Sequence, residues 1–374
     1  MFARINHFER NMIECTKTKR KVVLGMSGGT DSSVSAILLK EQGFEVIGVS
    51  LWFYNTDYSF NAKTAYPEYI QEAKALATRL KIAHHVIDAR REFREKIIQF
   101  FLDEYLAGRT PSPCIHCNPQ LKWKLLLEKA NQLECDFIAT GHYIQILKEQ
   151  QTAYIHKGFD PVKDQSYFLW NLPQEILQRT ITPLGKYTKH EVREIAKAHG
   201  FPEIATKKES MGVCFMDHKD YRDFLKEMIP NLDDKIGKGA VLDTDGNHLG
   251  WHDGYPYYTV GQKRGLDLEV KSGMMVSKIC ADTNTLILAK REDLNRKDIR
   301  VYDYYFHDIA DIQDTNITTV VRGLGLNPDG LSRISLINEK ELKVELEQEA
   351  WAIAPGQPVA FYIGSKLIGG GFAS

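Results

Sequence analysis

The sequence predicts an α/β fold, in which a doubly wound parallel sheet is followed by a small β-rich domain and a C-terminal β-barrel. Short apolar runs alternate with helical patterns up to about residue 216. A stretch rich in Gly, Asp and aromatic residues follows, and strand patterns dominate from residue 282 onward. Alternating strands and helices are typical of parallel sheets, which bind ligands at the carboxyl ends of their strands. We therefore divide the chain into an N-terminal extension (1–20), a sheet domain (21–216), a central domain (217–281) and a barrel domain (282–374).

The sheet domain can be followed element by element. "KVVLGM" predicts a strand, and "DSSVSAILLKEQG" a helix with Val34, Ile37 and Leu38 on one face. "FEVIGVSLWF", "HHVIDA" and "DFIATGHY" predict further strands, separated by helices over "EYIQEAKALATRLKI" and 91–106. In the barrel domain, "LKVELEQ" alternates apolar and polar residues, and "PVAFYIGSKLIGGGF" predicts a hairpin.

Composition limits the class of protein. The chain has 374 residues, 43% of them hydrophobic and 26% charged, as in globular proteins of two or three domains. No apolar run approaches the roughly eighteen residues that span a bilayer, so we expect no membrane association. The first twenty residues lack the apolar core of a signal peptide, and we therefore expect a cytoplasmic protein with reduced cysteines. With a net charge of −1, a nucleic-acid partner must meet local basic patches.

The segment "GMSGGTDSS" (25–33) lies between the first strand and the first helix. Glycines allow backbone N–H groups to approach a phosphate, the helix N-terminus adds positive charge, and Ser32 and Ser33 can donate hydroxyls. Asp31 suits a Mg²⁺ ion that bridges it to a polyphosphate. The alternative is a capped helix start, which needs only one such residue. The segment lacks the GxxxxGK[ST] pattern, which argues against γ-phosphate transfer.

"SGGTDSS" resembles the PP-loop of ATP pyrophosphatases, which hold the β- and γ-phosphates as a leaving group and transfer AMP. The resemblance implies that 21–216 is a catalytic domain with the PP-loop (adenine nucleotide alpha hydrolase-like) fold, using ATP and Mg²⁺. GMP synthetase, NAD synthetase, argininosuccinate synthase and tRNA-thiolating enzymes share this loop. The loop does not choose among them.

The cysteines extend the resemblance. Cys114 and Cys117 lie in "GRTPSPCIHCNPQLKWK", and Cys214 lies in "KKESMGVCFM". Together with "ATGHY", "KDQSYFL", "PLGKYTKHEVREIAKAHGFP", "YTVGQKRGL" and "PGQPVAFY", they resemble the tRNA-specific 2-thiouridylase family over nearly the whole chain. The resemblance implies a tRNA-uridine 2-sulfurtransferase. Such an enzyme adenylates the C2 oxygen of the wobble uridine and replaces it with sulfur from a cysteine persulfide, giving 2-thiouridine, AMP and pyrophosphate.

The family's functional residues carry over by motif. Cys214 corresponds to the cysteine that accepts the persulfide, and Cys117 to its partner, which can form a disulfide with it during turnover. The implied ATP-binding residues are Gly25, Met26, Ser27, Gly28, Gly29, Thr30, Asp31, Ser32, Leu51 and Gly141. The implied tRNA-binding residues are Ser112, Pro113, Cys114, His142, Lys163, Asp164, Gln165, Arg322, Gly323 and Gln357. "RGLGL" departs from the family after Arg322, and a solvated surface charge is the commoner fate of any single Lys or Arg.

Cys114 is a second departure, because the best-known members have an aspartate at this position. Cys114, Cys117 and Cys214 could act as three ligands of a four-iron four-sulfur cluster whose fourth iron stays open, as in related cluster-dependent tRNA thiolases. Plain thiols that line the site are an alternative. Zinc, with His116 or His142 as fourth ligand, is another, although the spacing lacks a second C-x-x-C.

The implied partners are tRNA, with Lys, Glu and Gln acceptors expected, and a cysteine desulfurase or sulfur-relay protein. Two other functions remain open at this point. A PP-loop amide-forming ligase would use ammonia and stay active without Cys117, and a tRNA- or iron-sulfur-binding protein would have lost catalysis. Cys135 and Cys280 fit small buried hydrophobic residues. The segment "YNTDYSFNAKTAYP" fits a loop over the nucleotide.

Overall fold

The computed structural model describes residues 19–55, 65–207, 212–216, 220–266, 273–322 and 327–374. The strands, β1 to β17 in chain order, are Lys21–Gly25, Glu45–Trp52, Ala83–Asp88, Phe137–Ala139, Ile144–Glu149, Thr152–Lys157, Thr180–Ile181, Gly239–Leu242, His248–His252, Met274–Cys280, Thr285–Lys290, Asn295–Phe306, Ile317–Val320, Ser332–Leu336, Glu341–Trp351, Pro358–Ile363 and Lys366–Ala373. The helices are Thr30–Glu41, Glu68–Leu80, Arg90–Phe93, Arg94–Ile98, Gln99–Leu106, Pro113–Cys117, Asn118–Lys122, Trp123–Gln132, Gln174–Leu177, Lys189–Ala198, Pro202–Ala205, Tyr221–Met228 and Leu232–Ile236. Short 3₁₀ turns are Ser166–Phe168, Tyr255–Tyr257, Ala281–Thr283, Arg291–Leu294 and Ile309–Gln313.

The sheet domain contains five parallel strands in the order β3-β2-β1-β4-β7. Strand β1 is central, and Val22, Val23 and Leu24 are fully buried because helices cover both faces of a parallel sheet. Strands β2 and β3 lie on one side of β1, and β4 and β7 lie on the other, so the direction in which strands are added to the sheet reverses at β1. The loops after β1 and β4 therefore open into the same crevice, where doubly wound sheets bind ligands. The predicted doubly wound sheet is confirmed.

The barrel domain is built on strands β12 to β17, and its predicted last hairpin is confirmed. Strands β16 and β17 are antiparallel, with Ala360 opposite Gly370. One connection was not predicted: the β5–β6 hairpin leaves the sheet domain and pairs with β17, placing Ile155 opposite Leu367. The sheet and barrel domains therefore share hydrogen-bonded strands.

The central domain begins with the helices Tyr221–Met228 and Leu232–Ile236, followed by a sheet in the order β10-β11-β8-β9. Strand β11, Thr285–Lys290, pairs with β10 and lies beyond the predicted boundary after residue 281. That boundary would cut a hairpin, so we place it after residue 290. Within the described ranges, no helix is long and apolar enough to cross a membrane.

One long helical segment positions two of the cysteines. Pro113–Cys117, Asn118–Lys122 and Trp123–Gln132 follow one another without a break, and the middle part is a π-helical turn. Proline is favoured in the first helical turn, where its missing N–H costs nothing. π-turns are frequent at functional sites because they shift side chains relative to the regular helix.

Candidate functional site

The glycine-rich loop follows β1 and ends in the helix Thr30–Glu41. Gly28 has a φ of +70°, and a Cβ there would lie 2.4 Å from the backbone oxygen of Tyr69, so only glycine fits. The hydroxyls of Ser32 and Ser33 donate to the Gly29 carbonyl, at 3.2 and 2.7 Å. Ser27 donates its N–H to Ser32 Oγ at 3.2 Å. These serines therefore stabilise the turn of the loop itself.

Asp31 is held by two residues that sequence reasoning missed. Its Oδ1 accepts hydrogen bonds from Lys189 Nζ at 2.7 Å and from the Tyr143 hydroxyl at 2.8 Å. The Lys189 side chain is only 9% exposed, whereas that of Asp31 is 36% exposed. Both residues lie in quoted motifs, "PLGKYTKHEVREIAKAHGFP" and "ATGHY". The motifs mark both residues as candidates, but their hydrogen bonds to Asp31 could not be predicted from the sequence.

The other predicted ATP-binding residues lie around this loop. A Cβ at Gly141 would come within 2.9 Å of the backbone of Asp31 and Ser32, so the loop after β4 packs directly on the loop after β1. Leu51 is the penultimate residue of β2, and its carbonyl accepts the Tyr69 hydroxyl at 3.0 Å. The remaining members take structural positions: Gly25 ends β1, the Met26 side chain is buried, and Thr30 Oγ1 donates to the Ile204 carbonyl at 2.7 Å.

The three predicted thiols lie within electrostatic range of one another. Burial, followed by the charges of Cys114 and Cys117, raises the pKa of Cys214 to about 12. Burial also raises the pKa of Cys117 to about 11, with Cys114 contributing to the rise. Cys114 is half-buried, Cys117 is buried, and Cys214 keeps exposed surface although protein packs around its sulfur. The thiols are thus close enough to influence one another's ionisation.

Aromatic packing holds the Cys214 segment against the helices. Phe215 is buried in one cluster with Cys117, and its ring lies 5.7 Å from Phe93 and 5.3 Å from Phe101. The Tyr54 hydroxyl donates to the Cys214 carbonyl at 2.5 Å. Apolar burial therefore fixes this cysteine beside Cys117.

Tyr69 links the loop to the thiols. Its backbone oxygen lies beside Gly28, 2.4 Å from the position that a Cβ would occupy. Burial is the largest cause of the raised pKa of Tyr69, and Cys214 contributes to the rise. The same residue thus lies beside the glycine-rich loop and within electrostatic range of Cys214.

Lys122 is a further residue that sequence reasoning missed. It ends the π-turn that follows Cys117, and it is half-buried. Its charge lowers the pKa of Cys114, Cys117 and Cys214, against the larger effect of burial. A single cation therefore acts on all three thiols.

The two histidines near the thiols are half-buried, and desolvation lowers the pKa of each imidazole and so keeps it neutral. Burial lowers the pKa of His142 well below its usual value, and its ring packs 4.6 Å from Trp123. His116 lies between Phe100 and Phe372, and its buried Nε2 has no hydrogen-bond partner among the residues that the structure describes. Among the described residues, no three His, Cys, Asp or Glu side chains are grouped so that they could hold a metal ion.

Several predicted tRNA-binding residues have partners within the chain. Asp164 accepts from Ser166 Oγ at 2.7 Å, and Gln165 Oε1 accepts the Tyr143 N–H at 3.1 Å. Gln357 Nε2 donates to the Thr110 carbonyl at 2.7 Å, joining the barrel to the segment before the helix that carries Cys114. These bonds give the residues structural roles in addition to any contact with RNA.

The remaining members of the predicted tRNA set are more varied. Arg322 donates to the Ala352 carbonyl at 2.6 Å and lies 5.1 Å from the Trp351 ring. Lys163 is half-buried, and its N–H donates to the Asp160 carbonyl at 3.1 Å. Ser112 and Pro113 open the helix that carries Cys114. Gly323 lies outside the described residues.

The glycine-rich loop lies at the crevice where the strand order of the parallel sheet reverses, and three thiols lie beside it. These features define an α/β nucleotide-binding protein with sulfur chemistry. Residues 20–218 match the tRNA methyl transferase HUP domain, 222–290 the tRNA methyl transferase PRC-barrel domain, and 297–373 the aminomethyltransferase beta-barrel domain. The chain is 42% identical over 357 residues to "tRNA-specific 2-thiouridylase MnmA 3" of Phocaeicola vulgatus, covering 94% of each. It is 40% identical to "tRNA-specific 2-thiouridylase MnmA" of Cytophaga hutchinsonii, covering 95% of this chain and 97% of the relative. The chain belongs to the tRNA-specific 2-thiouridylase family.

Likeness to solved structures of other families is low. A 4-thiouridine synthetase–RNA complex with bound ATP aligns with a TM-score of 0.34 and 16% identity, over 57% of this chain and 51% of that one. An NMN synthetase from Francisella tularensis aligns with a TM-score of 0.33 and 17% identity, over 55% and 76%. These values are too low to bear on function.

Proposed function

We propose that the chain is a tRNA-uridine 2-sulfurtransferase, which adenylates the C2 oxygen of the wobble uridine with ATP and replaces that oxygen with sulfur. The observation that carries the proposal is the position of Tyr69: its backbone oxygen faces Gly28, and its ring lies 6.3 Å from that of Tyr54, whose hydroxyl donates to the Cys214 carbonyl. A nucleotide held by the glycine-rich loop and sulfur held by Cys214 can therefore reach the same base. Family membership gives the substrate class.

In the first step, the glycine-rich loop holds the β- and γ-phosphates of ATP through backbone N–H groups. The uridine C2 oxygen bonds to the α-phosphorus, pyrophosphate leaves with the electron pair of the broken P–O bond, and the N3 proton is released. Asp31 fits a Mg²⁺ ion, because its Oδ2 has no hydrogen-bond partner among the described residues while Oδ1 has two. Bound Mg²⁺ would neutralise phosphate charge.

In the second step, the terminal sulfur of a Cys214 persulfide attacks C2 and AMP leaves. The Cys117 thiolate then attacks the Cys214 sulfur, which releases 2-thiouridine and leaves a Cys117–Cys214 disulfide that an external dithiol reduces. Cys117 must lose a proton before it attacks, and Lys122 is the cation that favours its thiolate.

The sulfur arrives by way of a partner. Cys214 keeps exposed surface, which suits transfer of sulfur from the persulfide of a cysteine desulfurase or relay protein. We expect the substrates to be tRNAs with Lys, Glu and Gln acceptors, in the cytoplasm. His142 is neutral, so its proposed contact with tRNA is through hydrogen bonding or stacking.

The arrangement of the three thiols does not favour the iron-sulfur alternative. Cys114 and Cys117 contribute to the raised pKa of Cys214. However, no group of three His, Cys, Asp or Glu side chains in the described part of the chain is arranged to bind a metal. The donor set does not fit a cluster or zinc in this arrangement. We therefore route no step through a metal centre at the thiols.

The deciding experiment is mass spectrometry of nucleosides from tRNA incubated with enzyme, ATP and a persulfide source, with and without iron. We expect 2-thiouridine in both samples and its loss in Cys117→Ser. An amide-forming ligase would stay active in Cys117→Ser and would make no 2-thiouridine, so that outcome would overturn the proposal.

A further inference from the structure

The turn over residues 158–163 presents two large apolar side chains to solvent. Phe159 is 60% exposed and Val162 is 69% exposed, although Phe and Val are among the residue types most often buried. Exposed apolar residues that are scattered singly need no explanation, but these two share one turn. We therefore ask what the turn could bind.

Hydrogen bonds hold this turn in one shape. Asp160 Oδ1 accepts the N–H groups of Val162 at 3.0 Å and of Lys163 at 3.3 Å. The Phe159 N–H donates to the Gly185 carbonyl at 2.9 Å. The two apolar side chains are therefore displayed on a fixed backbone, and a partner that covers them does not have to order the chain first.

The turn lies beside the proposed adenylation site. A Cβ at Gly158 would come 2.4 Å from the Tyr143 backbone oxygen, so these two segments are in contact. The Tyr143 hydroxyl donates to Asp31 Oδ1 at 2.8 Å. Asp160 Oδ2 accepts the Lys189 N–H at 2.9 Å, and Lys189 Nζ donates to the same Asp31 oxygen. One tyrosine and one lysine side chain thus span the distance from the turn to the glycine-rich loop.

The charges around the turn suit a polyanion. The Asp164 carboxylate is used within the chain, because its Oδ1 accepts the Gly158 N–H at 2.9 Å and its Oδ2 accepts the Ser166 hydroxyl at 2.7 Å. Lys163 lies within the turn, and the exposed Lys186 follows the glycine to which the turn is bonded. An aromatic ring with cations beside it is typical of sites for single-stranded nucleic acid, in which bases stack on the ring and phosphates pair with the lysines.

We propose that this turn is part of the tRNA interface, and that the Phe159 ring stacks on a base of the anticodon loop next to the uridine that is adenylated. Adenylation requires the uridine to leave the anticodon stack, which uncovers a face of each neighbouring base. The Phe159 ring covers one of those faces. The inference rests on the proposed function, because it assigns the RNA side of the same site.

The test measures binding of a fluorescently labelled anticodon stem-loop RNA to the full chain at several salt concentrations. We expect Phe159→Ala to weaken binding about 5- to 100-fold, as for the loss of one base–aromatic stack. The slope of log affinity against log salt should stay unchanged, because no phosphate contact is lost. Phe159→Trp should bind at close to the wild-type affinity.

The control is Trp251→Ala, which removes a ring that is 61% exposed in the central domain and should bind RNA as the wild type does. Wild-type RNA affinity in Phe159→Ala would overturn the proposal. If that variant instead showed normal RNA affinity and slower sulfur transfer from a cysteine desulfurase, the turn would belong to a protein interface and the proposal would again be wrong.

Abasic nucleotides, placed one at a time in the loop of the RNA, identify the stacked base. A base that stacks on Phe159 contributes no stacking once the ring is gone. Its removal should therefore weaken binding to the wild type but not to Phe159→Ala. Losses that add at every position of the loop would contradict the proposal.

The binding assay contains neither ATP nor sulfur, so it separates this inference from the proposed function. A wild-type chain that binds RNA through Phe159 but forms no 2-thiouridine would contradict the sulfur-transfer function and support the inference. Formation of 2-thiouridine together with unchanged RNA binding in Phe159→Ala would support the function and contradict the inference.

Discussion

The two halves of the site are built from opposite chemistry. At the glycine-rich loop, Asp31 accepts hydrogen bonds from Lys189 and Tyr143. The hydroxyls of Ser32 and Ser33 donate to the loop backbone. Around the thiols, Cys117 packs in a cluster of aromatic side chains, and burial raises the pKa of both Cys117 and Cys214. The loop is charged and pre-organised for phosphate, whereas the thiols stay protonated until sulfur or a base reaches them.

This difference suits the order of the reaction. A protonated thiol does not attack the activated base or react with stray electrophiles, because the thiolate is the nucleophile. Adenylation, by contrast, needs preset charges that cost no reorganisation. The charged groups therefore lie at the glycine-rich loop, and the protonated thiols lie at the other end of the site.

The largest effect is expected at the loop. Asp31→Ala removes one partner of Lys189 and the carboxylate that fits Mg²⁺, and we expect tRNA-dependent pyrophosphate release to fall about 100- to 1,000-fold. A time course of pyrophosphate release, measured with substrate tRNA present, checks this. Glu203→Ala, which breaks only a surface pair with Arg79, is the matched control. Wild-type release in Asp31→Ala would remove the loop from the mechanism.

The thiol end should respond to pH. A raised pKa keeps a thiol protonated through neutral pH, so alkylation of Cys214 by iodoacetamide should keep rising above pH 9. At pH 8 the thiolate fraction of Cys214 should be over about 1,000-fold smaller than that of a free cysteine, whose pKa is about 8.5, and alkylation should be slower accordingly. Lys122→Met should slow alkylation further, and Lys124→Met, which removes an exposed partner of Glu128, should not. A rate that levels off by pH 8 would contradict this account of the thiols.

Two neighbouring glycines give a test of the loop's shape. Gly28 has a positive φ and meets the Tyr69 oxygen, whereas Gly29 has a φ of −84° and would place a Cβ 3.5 Å from Ser27 Oγ. Gly28→Ala should lower the free energy of unfolding by about 1–3 kcal/mol, and Gly29→Ala by about 0.5 kcal/mol or less. Urea denaturation measures both. Equal losses would mean that the turn is not strained at Gly28.

The smallest effect is expected at Cys114. Because the thiols do not form a metal-binding group, iron-free Cys114→Ala should still make 2-thiouridine at close to the wild-type rate. Anaerobic purification with iron analysis and absorbance near 400 nm, typical of such clusters, provides the check. Bound iron in the wild type, lost together with activity in the variant, would restore the cluster hypothesis.

The sequence allowed local features to be predicted, and pairings between distant segments were missed. The glycine-rich loop, the parallel strands and the hairpin over 358–373 depend on nearby residues. Lys189 and Tyr143 reach Asp31 from 158 and 112 residues away, and no periodicity reports such a contact. The pairing of β6 with β17 was missed for the same reason, since it joins His156 to Lys366, which lie far apart in the chain.

The tRNA-binding prediction shows a different limit. Asp164 and Gln165 were assigned to RNA from a motif, yet both make hydrogen bonds that hold the segment beside Tyr143. A motif marks residues that a family needs. It does not separate residues that contact the substrate from residues that hold those contacting side chains in place. Their contact with tRNA stays a prediction.

The central claim is that the loop and Cys214 act on one uridine in sequence, and single turnover of Cys214→Ser tests it most directly. The variant is mixed with ATP, substrate tRNA and a persulfide donor, and both pyrophosphate and 2-thiouridine are measured. We expect pyrophosphate release without 2-thiouridine, because adenylation needs the loop and sulfur transfer needs the thiol. Formation of 2-thiouridine at the wild-type level would contradict the account.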